Sequence, residues 1–368
     1  MELAEKQPPN RASASARIVP LLRAVIVPVM AVVVALLIGA VIIAISGANP
    51  IKAYTSLVSG GLGNAKAIER TFEKATPLIF GGLAVALAFR AGLFNIGAQG
   101  QLLFGALMAG YAGFAIEGLP MVIHLPLALL FGAVTGALWA AIAGVLRAYT
   151  GAHEVITTIM LNFVAINITD YLSNGPWKAS GVVARTPKIL ETAEMGKIGN
   201  VPLGLVLALV VALVVWWLID RTTIGFELRT VGHNPNASQY AGISVRRMTI
   251  LAMVLSGLLA GLGGAVETLG VVGRFQPGFN AGLGFTAITI ALLARNHPLG
   301  VIPAALLIGV MQAGSSRMQL DSGVASDIIE VVQALILFFV AADVLIRTLL
   351  RMRDTGDNIT LSSGWGQS

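Results

Sequence analysis

Residues 24–45 run without a single charged side chain. A helix of roughly 20 apolar residues crosses about 30 Å of hydrocarbon, so this run reads as a first membrane span. A cleaved leader has an apolar core of roughly 7–15 residues, shorter than this one, so the span is expected to be retained. Comparable apolar segments follow at about 77–89, 93–115, 125–146, 155–172, 201–219, 250–269, 285–294, 301–313 and 328–349. Only 11% of the 368 residues are charged, with a mean hydropathy of +0.83. A soluble domain carries roughly 25% charged residues, so a water-soluble globule is excluded.

The expected fold is therefore an all-α polytopic membrane protein with about ten (eight to ten) transmembrane helices and both termini cytoplasmic. Segments 77–89 and 285–294 are short enough to be half-helices. Residues 1–23 read as a disordered cytoplasmic tail, 24–349 as the membrane domain, and 350–368 as a second cytoplasmic tail. Two long outer loops are expected at 47–75 and 173–200, the first with a helix-like polar stretch at 65–74. The polar insert at 220–248 faces inside. The net charge of +6 fits basic residues at the inner ends of spans rather than nucleic-acid binding.

Soluble-type chemistry finds no foothold. Cysteine is absent, and the four histidines (124, 153, 233, 297) lack the spacing of a metal-binding helix face. No glycine-rich phosphate loop ending in Lys and Ser or Thr occurs, so no nucleotide site of that kind is expected in this chain. Glycine instead recurs four apart at 132/136 and 257/261, a spacing that lets helix backbones approach closely in lipid.

Three polar features interrupt the apolar background. The segment 89–101, FRAGLFNIGAQGQ, brings Asn95, Gln99 and Gln101 among three glycines. Amides at membrane depth must face a partner or a cavity, so this broken segment is either a turn braced by interhelical hydrogen bonds or part of a translocation path. A second set, Thr158, Asn162 and Asn167, reads as a stripe on one span facing the bundle interior, with Glu154 and Asp170 near its ends. Glu267 and Glu330 are intramembrane acids, Glu330 the deeper in sequence. They keep open an alternative, a proton-coupled secondary transporter of a small polar solute. A faint internal echo joins 86–90 to 291–295, each an apolar run ending in Arg.

The insert DRTTIGFELRTVGHNPNASQYAGISVRRM (220–248) is the most structured polar stretch. Asn234 and Pro235 start a turn, and 236–240 form a short helix ended by Gly242. Arg221, Arg229, Arg246 and Arg247 flank it. Such a helix, held parallel to the membrane, suits a groove on a cytoplasmic partner.

IGFELRTVG (224–232), Asn234-Pro235 and Ala241-Gly242-Ile243 resemble the coupling loop of ABC-importer permeases of the branched-chain amino acid and simple-sugar superfamily. FNIGAQGQLLFGA (94–106), GAHEVITTIMLN (151–162) and ALLARNHPLG (291–300) resemble its nucleoside and simple-sugar branch. The resemblance covers about 75–349. Gln99 departs from it, standing where many relatives carry Glu.

The resemblance implies a transporter subunit, not an enzyme. Cytoplasmic ABC ATPase subunits would use ATP and Mg, and this chain would bind no cofactor. A second related permease would complete the path, and an extracytoplasmic substrate-binding protein would deliver the solute, in the plasma (inner) membrane of a prokaryote. The implied ATPase-coupling residues are Gly225, Glu227, Arg229, Gly232, Asn234, Asn236, Ala237, Tyr240 and Gly242. On polarity, the path residues would be Asn95, Gln99, Gln101, Thr158 and Asn162.

Overall fold

A computed structural model of the chain describes residues 14–278 and 281–342. Thirteen α-helices make up most of the described residues. In order they are α1 Ala14–Ile45, α2 Pro50–Leu62, α3 Ala65–Arg90, α4 Ala98–Ala115, α5 Met121–Thr150, α6 Glu154–Asn174, α7 Leu203–Arg221, α8 Thr223–His233, α9 Pro235–Tyr240, α10 Val245–Glu267, α11 Leu283–Leu293, α12 Pro298–Ser322 and α13 Ile328–Ala341. A two-stranded antiparallel hairpin, β1 Lys197–Ile198 with β2 Val201–Pro202, precedes α7. A π-helical turn, Thr268–Val272, extends α10.

Seven helices among the described residues are long and apolar enough to cross a membrane, and α11 and α13 are shorter apolar helices. The outward faces of α1, α5, α6 and α7 are aliphatic and exposed, as at Leu37, Leu138, Phe163 and Leu213. A chain with such faces belongs in lipid, where every backbone polar group must be satisfied within the helices.

The interior is built on small residues. Gly132 and Gly136 of α5 face Gly257 and Gly261 of α10 so closely that a Cβ on Gly136 would clash with the Gly257 carbonyl. Gly105 of α4 meets Gly261 from another side. The two four-residue glycine spacings in the sequence are thus two halves of one seam, and α10 is the hub on which α4 and α5 converge.

Several expectations are corrected. Residues 77–89 are not a half-helix; they are the second half of the continuous 26-residue α3, which carries Pro77 inside it. The stretch 47–75 is not a loop. It holds α2, whose Gly60 and Gly61 pack against Val310 and Gly314 of α12, followed by the polar first turns of α3. Residues 14–23, expected as tail, belong to α1, while 1–13 and the tail 350–368 lie outside the described residues. Glu330, expected to sit within a span, is exposed and lies in the first turn of the short helix α13.

Candidate functional site

One end of the bundle carries the insert 220–248, which is two helices rather than a loop. Thr222 caps α8, its Oγ1 accepting from Gly225 N at 3.1 Å. Asn234 ends α8 and caps α9, its Oδ1 accepting from Ala237 N at 3.0 Å. Pro235 occupies the first turn, where its missing N–H costs nothing. Gly242 closes the element at φ +82, a conformation that favours glycine. The expected short helix and its stop at Gly242 are present, and the turn expected at Asn234 and Pro235 is the cap and first residue of that helix.

The residues singled out in this insert divide by direction. Gly225 is buried against the Leu218 and Ile219 carbonyls of α7. Arg229 is half-buried, 3.9 Å from Asp220. Gly232 lies against the end of α3: a Cβ there would be 2.5 Å from the Arg90 carbonyl oxygen. Asn236, Ala237, Tyr240 and Gly242 face outward, and Tyr240 is 95% exposed. Glu227 is half-buried between the two groups. One side of the insert is bolted to the bundle, and the other presents a short helix with an aromatic tip. Arg246 stacks over the Tyr149 ring at 5.6 Å, bringing the starts of α10 and the end of α5 to the same end.

The second polar centre lies at the break between α3 and α4, residues 91–97. Asn95 and Gln101 pair amide to amide, Nδ2 to Oε1 at 2.8 Å and Nε2 to Oδ1 at 3.0 Å. Asn95 Nδ2 also donates to Ser256 Oγ of α10 at 2.7 Å, and Ser256 donates on to the Ala84 carbonyl. Asn162 of α6 accepts from Gly100 N at 2.9 Å and donates to the Ile96 carbonyl at 2.9 Å. Gln99 Oε1 accepts from Gly284 N, at the start of α11, at 2.8 Å. Thr158 donates to Glu154 O within its own helix and packs at Gly97.

These five side chains are all buried. Asn162 stands eight residues into the membrane-spanning helix α6, about 12 Å along its axis. The network supplies the hydrogen bonds that an interrupted helix would otherwise lack there. Glycine makes this clasp possible, since a Cβ on Gly97 or Gly100 would press on Thr158 or Asn162 at 3.0 Å. Asn167, expected on the same stripe, is exposed and donates only to Phe163 O of its own helix. Nine residues after Thr158, it has turned about half a circle away. Glu154, the first residue of α6, is buried and paired with Arg147 at 3.3 Å.

Sequence reasoning missed Arg90, Gly92, Ser256 and Asn296. Arg90 Nε donates to the Asn296 carbonyl at 3.0 Å, across 206 residues. The echo of 86–90 and 291–295 was the available signal, for the helices that lead into the two Arg-ended runs pack together: Gly81 and Gly82 of α3 touch Ala287 and Ile290 of α11.

Residues 67–341 match the family described as the permease component of branched-chain amino acid transport systems. The chain belongs to that family. It is a permease component of an ABC transporter, a multi-pass protein of a prokaryotic plasma membrane. It is 41% identical to the guanosine ABC transporter permease protein NupP of Bacillus subtilis, over 86% of this chain and 93% of that protein. It is 36% identical to the nucleoside ABC transporter permease protein NupB of Lactococcus lactis, over 83% and 87% of the two chains. The glucose ABC transporter permease protein TsgB13 of Haloferax volcanii is also 36% identical, over 79% and 80%. No solved structure matches the chain. The break and the insert both fall inside the matched region.

Proposed function

We propose that this permease carries nucleosides or simple sugars inward, with α9 as the element gripped by a cytoplasmic ATPase and the α3–α4 break as the element that moves. Support for the solute class comes from the relatives named for guanosine, nucleosides and glucose. The geometry of the insert carries the coupling reading: a capped, six-residue helix, anchored on one side and aromatic on the other, projects from the end rich in arginine. By the bias of short inner loops toward Lys and Arg, that end is cytoplasmic. In this reading α4, α11 and α13 complete a ten-crossing bundle with both termini inside.

Tyr240, Asn236 and Ala237 then meet the ATPase, while Gly225, Arg229 and Gly232 transmit its movement to the bundle. ATP closure in the partner shifts the balance between outward- and inward-open arrangements only to the extent that the docked partner favours one of them. The amides Asn95, Gln99, Gln101 and Asn162 act by holding the broken segment in shape; a solute reaches the path they frame rather than replacing their bonds. A second related permease and an extracytoplasmic binding protein complete the transporter.

The test is reconstitution with the ATPase, the second permease and the binding protein, scoring substrate-stimulated ATP hydrolysis across nucleosides, pentoses and hexoses. Stimulation by a nucleoside or a sugar is expected. Stimulation by branched-chain amino acids alone would contradict the assignment.

A further inference from the structure

Arg90 stands where three elements meet. Its Nε donates to the Asn296 carbonyl in the α11–α12 turn at 3.0 Å. Asp220 at the end of α7 and Arg229 of α8 lie within electrostatic reach of its guanidinium, and those two residues face each other at 3.9 Å. Its own carbonyl and the following Gly92 are the backbone on which Gly232 of α8 rests.

The turn that Arg90 holds is under strain. Arg295 and Asn296 are consecutive left-handed residues, at φ 52 and 57, and neither is glycine. Asparagine tolerates that region through local hydrogen bonds, but arginine does not favour it. The Asn296 Oδ1 is also buried with no hydrogen-bond partner. Strain and an unsatisfied buried oxygen in one turn mark a segment held by its surroundings rather than by its own preferences.

The same break grips α11 at its other end, where Gln99 accepts from Gly284 N. Residues flanking one interruption therefore hold both ends of α11, an 11-residue helix. A displacement of α8 pushes on Gly92, and through Arg90 and Gln99 it is passed to α11 as a unit.

We infer that Arg90 is a positioning residue for transport, tying the ATPase-docked helix pair to the α11–α12 turn through its side-chain bond to the Asn296 carbonyl and the packing of Gly232 on its own carbonyl. This rests on the reading of α8–α9 as the docking element. Arg90 itself touches neither solute nor ATPase; it sets how much of the motor's stroke reaches the membrane helices.

The test uses the complete reconstituted transporter, measuring solute moved per ATP hydrolysed, with basal ATPase rate and complex assembly recorded alongside. Arg90→Gln is expected to leave assembly and basal hydrolysis near the parental values while solute per ATP falls roughly fivefold or more. Arg90→Lys, which keeps the charge facing Asp220, is expected to restore part of that loss. Should Arg90→Gln not assemble, Arg90→Lys serves instead, with a smaller fall in solute per ATP expected because lysine lacks the Nε that bonds the Asn296 carbonyl. An unchanged ratio in the assembled variant overturns the role of Arg90 and leaves the docking reading standing. If the parental complex retains its ATPase after α9 is disrupted by Tyr240→Ala with Asn236→Ala, the docking reading fails, and the inference fails with it.

Discussion

Gly92 and Gly232 touch backbone to backbone: a Cβ on Gly92 would lie 2.9 Å from the Gly232 Cα, and Gly92 itself is left-handed at φ +72. This contact joins the helix pair α8–α9 to the interruption between α3 and α4. Because both surfaces are main chain, neither can yield by a rotamer change. Movement of one is movement of the other, since packed interfaces of this kind switch rather than deform.

Gly232→Ala is expected to damage coupling more than insertion. The added methyl meets carbonyl backbone at 2.5 Å, and overpacking of this sort costs about 1–3 kcal/mol. The variant should reach the membrane at normal levels, bind the ATPase, and transport at well under half the parental rate. Normal uptake would show that the contact is passive.

Tyr240→Ala tests the outward face. At 95% exposure the ring supports nothing within the chain, so the thermal midpoint in detergent should not move. Loss of a buried aromatic anchor typically weakens an interface by roughly tenfold or more. Co-purification with the ATPase should fall accordingly; undiminished capture would remove α9 from the interface.

Asn162→Ala removes the partner of both the Gly100 N–H and the Ile96 carbonyl. Leaving such groups buried and unpaired costs about 1–3 kcal/mol. A lower thermal midpoint of the purified chain is expected, with Thr158→Val nearly neutral because Thr158 bonds only within α6. Equal effects of the two would deny the clasp.

On the opposite end, Lys197 bridges Glu69 and Glu73 at 2.6 Å each. Hydrogen bonds to Glu69 and then Glu73 raise its pKa above the ordinary 10.5. A raised lysine stabilises fully below its unfolded value and loses that contribution as pH climbs through the folded one. The difference in thermal midpoint between the parent and Lys197→Gln should therefore hold constant from about pH 7 to 9 and shrink only above the usual lysine range. A difference that vanished near neutrality would mean the bridge contributes nothing. Lys197 is exposed and Glu69 and Glu73 are only half-buried, so solvent screens both pairs and the effect is small.

How much of this was legible beforehand depends on distance along the chain. The α9 helix was readable because Asn234, Pro235 and Gly242 set its start and stop through local chemistry. The glycine spacings and the broken segment at 91–97 were likewise local. The partners of Arg90, Gly92 and Gln99 were not, for each lies more than a hundred residues away and depends on which helices pack. The helix α2 was hidden for a different reason. Its lysine, threonine and serines resemble a loop, yet Gly60 and Gly61 let it lie against α12. Asn167 failed because nine residues carry a helix around to the opposite face.

Uptake into proteoliposomes, compared between this chain alone and the full assembly with ATPase, second permease and binding protein, bears most directly on the whole account. Solute accumulation only in the full assembly, and only with hydrolysable ATP, is the predicted result. Accumulation by the lone chain, driven by an imposed proton gradient, would contradict it.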